Sequence, residues 1–257
     1  MGILDIAFWK DRLRASGIHL GISLAIAGLA AALVFGLWYP YPYREISGGR
    51  ELFQLVVVVD VVLGPLITLA IFTRAKAWPV MRRDLQVVAA IQLLALAYGL
   101  WTVYVARPVH LVFEYDRYRV VHAIDVPQDM LDKTAPALRR LPITGPTVLG
   151  LRALKDSREK SDVTFAALAG LHLGFRPDLW QEYRLSAGEV LREGKPLGAL
   201  KSRFPDSKEE IDRAVSAAGM READLLYLPM VGRDKFWTIL VDASNANVKA
   251  FLPLDPY

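Results

Sequence analysis

The sequence predicts a membrane α+β protein, with three N-terminal transmembrane helices followed by an extracytoplasmic α+β domain that contains an antiparallel sheet. Three observations carry this. Apolar runs of about 20 residues, the length that crosses a bilayer as a helix, occupy about 17–39, 52–72 and 85–106. Charge is divided unevenly, with ten Lys+Arg against six Asp+Glu in residues 1–107 and 21 of each in residues 108–257. After Arg107-Pro108 the pattern turns from helical to alternating, as strands do. The chain therefore divides into a three-helix transmembrane region, 1–107, and an α+β domain, 108–257.

Composition narrows the class further. The net charge of +4 belongs to the membrane region, and the neutral remainder has no basic surplus to recruit nucleic acid. The chain has no cysteine, which removes a disulfide framework and thiolate metal sites.

The first span follows Lys10, Arg12 and Arg14. Its basic lead and small residues suit a cleaved signal peptide. The apolar run is about twice as long as a signal core and ends in Trp38-Tyr39-Pro40, so we read it as retained. Arg44 and Arg50 in the first loop are offset by Glu45 and Glu51, whereas Arg74, Lys76, Arg82 and Arg83 crowd the second. Basic residues stay in the cytoplasm. The N-terminus and second loop are therefore expected inside, and the first loop and residues after Arg107 outside. Trp38, Tyr39, Tyr41, Trp101 and Tyr104 are expected at the outer interface and Trp78 at the inner one.

Small residues recur along span one, with Gly21, Ala25, Gly28 and Ala32 on one face. Such a stripe lets helices approach closely, either within the bundle or against a foreign helix. His19, near the inner end of the span, reads as interfacial.

Asp60 is the outlier of span two, set among valines and followed by Gly64 and Pro65. An ionised carboxylate at that depth is disfavoured by about 2.5–3.5 kcal/mol, so it should face protein or be protonated. Matching depths on the antiparallel third span suggests an Asp60–Tyr98 hydrogen bond, with Gly64 allowing close approach and Pro65 kinking the helix. Packing within the bundle and contact with a polar group on a partner's membrane helix both account for Asp60. A lone carboxylate makes no proton relay. In span three, Gln86 and Gln92 are placed to bond across helices or to meet headgroups.

In the outer region, residues 109–114 and 118–123 read as a hairpin with Glu114 opposite Arg119, Phe113 opposite Val120 and Val112 opposite Val121. That register sends His110 and His122 to opposite faces, so they share no metal; no metal site and no cofactor is expected. The Pro-rich segment after Asp125 is irregular. A strand is expected over 147–154 and a helix over 162–173 with Asp162 as N-cap. A second helix, Lys208–Ala218, opens on a Ser207/Glu210 capping box and closes at Gly219. Three strands, 225–231, 236–241 and 248–252, end the chain, with turns at Gly232-Arg233-Asp234 and Ser244-Asn245-Ala246-Asn247.

Reaction motifs are missing from the sequence: no Gly-x-Ser-x-Gly elbow, no phosphate loop and no His-Glu-x-x-His. No catalytic residue is assigned, and Gly232-Arg233-Asp234-Lys235 is better read as a charged turn than as a phosphate site. The residues describe an anchored binding or assembly module. A membrane-anchored sensor is the alternative, and with cytoplasmic segments of only about 16 and 12 residues it needs a separate output partner.

Several strings resemble the TfpX/TfpZ family of type IV pilin accessory proteins. They are Phe35-Gly36-Leu37-Trp38-Tyr39-Pro40, the run from Val59-Asp60 through Gly64-Pro65-Leu66, Arg82-Arg83-Asp84-Leu85, Ala106-Arg107-Pro108-Val109 through Phe113-Glu114, and the closing Phe251-Leu252-Pro253-Leu254-Asp255-Pro256-Tyr257. The resemblance implies a bacterial inner-membrane protein that works beside the major type IV pilin and other pilus assembly proteins. A pilin is held in that membrane by one apolar helix with its head outside. A partner would need a lateral helix-binding surface and an outer domain at head height.

Overall fold

Residues 6–73 and 76–257 are described by the computed structural model; Arg74 of the second loop lies outside them. The chain forms two units. One comprises the residues up to Pro40 together with Gly48–Val105, and the other Tyr41–Ser47 together with Ala106–Tyr257.

In the first unit the apolar runs are helical. Helix α1 (Ile6–Leu33) continues through a π-helical segment, Val34–Trp38. After a single turn, α2 (Tyr43–Ile46), the chain runs through α3 (Gly49–Val58), a second π segment (Val59–Leu63) and α4 (Gly64–Ile71). Helix α5 spans Trp78–Val105. Among the described residues two helices are long and apolar enough to cross a membrane, Trp9–Trp38 and Trp78–Val105, where the sequence suggested three. The middle run leaves only a shorter apolar helix, Val59–Ile71. The helical path itself runs on from Gly49 to Ile71, with a polar start at Gly49-Arg50-Glu51 and a π segment where Pro65 has no N–H for the Val61 carbonyl.

The middle helix is the hub, with α1 packed along α4 and α5 along both α3 and α4. The C-terminal end of α1 and the π segment after it pack against the C-terminal end of α5. There the Tyr39 hydroxyl donates to the Val103 carbonyl at 3.1 Å and the Trp38 and Tyr104 rings lie 5.2 Å apart. Tyr39 is a core residue of this unit.

The second unit is built on β1 (Pro108–Glu114), β2 (Arg117–His122), β3 (Thr147–Leu151), β4 (Trp180–Glu182), β5 (Lys195–Pro196), β6 (Leu225–Val231), β7 (Phe236–Asp242) and β8 (Val248–Leu252). Its helices are α6 (Gln128–Leu131), α7 (Ser157–Leu168), α8 (Ala187–Glu193), α9 (Leu197–Arg203) and α10 (Lys208–Ala218). The strands form one sheet in the order β4-β3-β1-β2-β6-β7-β8, with β5 also on β6. The sheet is mixed rather than antiparallel, because β1–β3 and β2–β6 run parallel. Parallel neighbours need long crossovers, and the irregular segment after Asp125 and the helical stretch before Leu225 supply them.

Both faces of the sheet are covered. Leu111, Phe113, Val120, Leu228, Met230, Ile239 and Val241 point into one core with Val190 of α8. The opposite face carries two cores. One lies under α9 and α10 around Tyr227 and Leu240, and the other surrounds Val112, Val121, Leu149 and Trp180. This is why β6 and β7 read as near-continuous apolar runs rather than strict alternations. Along one edge of β6 the partner changes from β5 at Leu226–Tyr227 to β2 at Met230–Val231. Pro229, which has no N–H to donate, sits at that change.

The first loop is part of this unit. Tyr43 and Ile46 of α2 are buried in the same core as Leu228 and Trp237. The turn between β6 and β7 clasps the loop: Gly232 N–H closes on the Lys235 carbonyl at 2.9 Å, and Lys235 Nζ donates to the Glu45 carbonyl at 2.9 Å. A Cβ at Gly232 would stand 2.6 Å from Ile46 Cγ1 and 2.7 Å from its carbonyl oxygen, so only glycine admits the loop. The Gly232–Lys235 turn thus binds the chain's own loop.

Three local expectations are corrected. The β1–β2 hairpin pairs Glu114 with Arg117, Phe113 with Tyr118 and Val112 with Arg119, a shift of two residues around a tight turn at Tyr115-Asp116. Such a shift keeps every side chain on its expected face. The Glu114–Arg119 ion pair survives as a diagonal contact at 2.5 Å, with Glu114 also accepting from the Gly174 N–H. Helix α7 starts at Ser157, not Asp162, because Asp156 Oδ1 caps the Glu159 N–H at 2.8 Å. Helix α10 has the expected span and ends at left-handed Gly219, but Ser207 makes no side-chain cap, because a 3₁₀ turn over Pro205–Ser207 leads into the helix.

His110 stands opposite Val121, the neighbour of His122 on β2, so the two imidazoles leave opposite faces. Each has its own partner: His110 Nδ1 lies 2.8 Å from Thr147 Oγ1, and His122 Nδ1 lies 3.1 Å from Asp125 Oδ2.

Two outcomes are expected. Ile46→Ala should destabilise the second unit by about 3 kcal/mol, as a buried aliphatic truncation does. It should also speed hydrogen exchange in β6 and β7, both read on the detergent-solubilised protein; Ile124→Ala, at an exposed site, should change neither. Burial holds His110 down to a pKa of about 4, whereas the unfolded chain takes up that proton near pH 6.5. Stability should therefore fall as pH drops from 6.5 through about 4, by roughly 3 kcal/mol at most. In thermal melts His110→Asn, which keeps a partner for Thr147, should remove that slope.

Candidate functional site

The polar residues of the helical unit converge on the middle helix. Arg12, Ser16, His19 and Ser23 follow helical spacing along one face of α1. Arg12 Nη1 donates to the Leu69 carbonyl at 3.2 Å, one of the C-terminal carbonyls of α4 that the helix itself leaves unsatisfied. Ser16 Oγ donates to the Pro65 carbonyl at 2.9 Å, and His19 Nδ1 lies 2.6 Å from Thr68 Oγ1. His19 is therefore part of the α1–α4 contact. From the other side, Gln92 Nε2 donates to the Asp60 backbone carbonyl at 3.2 Å. A Cβ at Gly64 would fall 1.9 Å from that same Nε2, so the glycine makes room for the amide.

Away from the end where they meet, α1 and α5 diverge over the middle helix and leave a cleft of about 210 Å³. His19, Ile22 and Ser23 form one wall and Gln92 and Leu93 the other, with Asp60 between them. Asp60 is only 8 % exposed, and its Oδ1 has no hydrogen-bond partner among the described residues. It is thus a buried acceptor without a donor, in a largely apolar cleft.

The expected Asp60–Tyr98 bond is not formed. Tyr98 is 74 % exposed, and its carbonyl accepts from Thr102 Oγ1 at 3.0 Å. The reason is helical phase: Tyr98 is six residues beyond Gln92, about 240° around α5. Gln92 occupies the place foreseen for Tyr98, and Gly64 admits the close approach. Pro65 is buried and opens α4 directly after the π segment that carries Asp60. Gly21, Ala25, Gly28 and Ala32 are all exposed, and a Cβ at Gly21 or Gly28 would meet nothing within 4 Å. The stripe therefore faces away from the middle helix and is not used for packing within the unit. The residues that sequence reasoning passed over are Ser16 and Ser23; their spacing with Arg12 and His19 was the available signal.

No group of three or more metal-ligating side chains clusters among the described residues. Long apolar helices around a largely apolar cleft, joined to a separate mixed-sheet unit, define a membrane-associated protein. The family model for the fimbrial assembly protein FimB matches residues 7–48. The chain is 32 % identical over 246 residues to the fimbrial assembly protein of serogroup I from Dichelobacter nodosus, and 31 % identical to that of serogroup E1, in each case over 95 % of both chains. A third relative from the same organism, the fimbrial assembly protein of serogroups C1 and C2, is 41 % identical over 118 residues, covering 46 % of this chain and 90 % of its own. No solved structure matches. The chain belongs to the fimbrial assembly protein family of type IV pilus accessory proteins.

The Gly64–Gln92 contact is testable by coupling. Gly64→Val should loosen the helical unit by about 1–3 kcal/mol, as overpacking does, and Gln92→Ala in the same chain should restore part of that loss. Denaturation in mixed micelles of rising sodium dodecyl sulfate measures both.

Proposed function

We propose that this protein is a non-enzymatic inner-membrane accessory factor for type IV pilus biogenesis, which binds or stabilises its pilin and promotes assembly into surface pili. The observation that carries this reading is the likeness over 95 % of the chain to proteins named for fimbrial assembly. The cleft with its unpaired acceptor supports it, since a pilin held by one membrane helix needs a lateral surface to dock on.

The three-span arrangement belongs to the same proposal. Helices α1 and α5 both lead into the second unit, α1 through Tyr41–Ser47 and α5 through Ala106. If both cross the membrane, the chain must return between them. The segment from α3 through α4 is roughly 34 Å long at 1.5 Å per residue, about one bilayer. The basic residues before α1 and between α4 and α5 then support a cytoplasmic N-terminus and a periplasmic second unit.

Deletion of the gene should lower surface pili several-fold without lowering pilin synthesis, and the full chain supplied in trans should restore them. Immunogold counting of pili beside a whole-cell pilin blot measures this. Normal piliation after deletion is the result that would sink the reading.

A further inference from the structure

We infer that the cleft between α1 and α5 seats the membrane helix of the pilin, with a hydrogen-bond donor on that helix paired to Asp60 Oδ1. The identity of the helix rests on the function proposed above; the site itself rests on geometry. Asp60 lies near the middle of the segment Gly49–Ile71, roughly 16 Å from either end. Headgroup amines lie at the bilayer surface and do not reach that depth. Acyl chains reach it but carry no donor. A hydrated cation would have to pass an apolar rim, because Ile22 and Leu93 are 55 % and 57 % exposed. The cleft, at about 210 Å³, falls below the roughly 300–1,000 Å³ that encloses a small-molecule ligand. Its size suits side chains of a helix laid against it.

The cleft is also held open by the fold. His19 is bound to Thr68 and Gln92 to the Asp60 carbonyl, and neither these nor Ser23, the third polar side chain lining the cleft, donates to Oδ1. Helices α1 and α5 are each fixed to the middle helix rather than to one another at this level. A buried acceptor left unpaired is unfavourable, and a helix that brings an N–H or O–H to it recovers that loss while covering Ile22 and Leu93. Selectivity follows from the same feature. A wholly apolar helix would leave Oδ1 unpaired, whereas a helix with one donor at mid-depth would not.

The test uses the full-length protein in the piliated bacterium. A photo-crosslinking benzoylphenylalanine is placed at Ile22, at Leu93 or, on the opposite side of α1, at Leu24, and crosslinked pilin is detected by antibody. Crosslinks are expected from Ile22 and Leu93 and only weakly from Leu24. Asp60→Leu should lower the rim crosslinks about tenfold, the effect of losing one hydrogen bond in the membrane. Asp60→Asn, whose amide oxygen still accepts, should retain most of them, and blots of both variants check that the protein is still made and inserted. Rim crosslinks indifferent to Asp60→Leu, equal yield from Leu24, or crosslinks joining two copies of this chain would each overturn the inference. Pilin crosslinked from the periplasmic unit but not from the rim would remove the cleft as its site and leave the proposed function standing. Normal piliation in the deletion strain would remove the function itself.

Discussion

Burial of Asp60 in the middle helix is the constraint around which the helical unit is arranged. An apolar surrounding offers no water, so each polar group in it needs a protein partner or remains a liability. Pro65, five residues on, adds to the difficulty by removing a backbone donor. The chain answers with side chains from both neighbours. Arg12, Ser16 and His19 of α1 serve the α4 segment, and Gln92 of α5 serves the carbonyl of Asp60 itself. These contacts fix two helices to one and leave a gap between the two. The carboxylate oxygen Oδ1 is the acceptor they do not reach.

The second unit depends on a segment far away in sequence. Tyr43 and Ile46 complete a core whose other members come from β1, β2, β6, β7 and α8. The clasp is specific, since Gly232 leaves room for Ile46 and Lys235 holds the Glu45 carbonyl. A loop that serves in most helical hairpins as a mere connection is here a structural element of the folded domain. Sequence change in residues 41–47 therefore acts on the stability of the sheet.

Much of the architecture was legible from pattern. The final strands and α10 lie where periodicity and turn residues put them, because each is bounded by its own Gly, Asn or Pro signals. The start of α7 was misplaced because Asp156 and Asp162 are equally good caps in isolation. The hairpin register was off by two because charge pairing tolerates a diagonal contact, so Glu114 and Arg119 meet in either alignment. Around the cleft, Asp60 and Gly64 were legible as a carboxylate out of place and a small residue beside it. Tyr98 was wrong because depth along a helix says nothing about direction around it.

The sequence by itself determined the apolar runs, the asymmetry of charge, the odd carboxylate and the order of strands and helices, since each depends on neighbours within a turn or a few residues. Only the tertiary structure decided which strands pair in parallel, that the first loop enters the core of the sheet, and that Gln92 rather than Tyr98 faces Asp60. Those outcomes depend on packing between segments tens of residues apart, where a rotation of about 100° per residue on a helix, or the choice of a crossover over a turn, selects among contacts that the local pattern leaves equal. The cleft belongs to that second group, because it exists where α1 and α5 are each held to a third helix and not to one another.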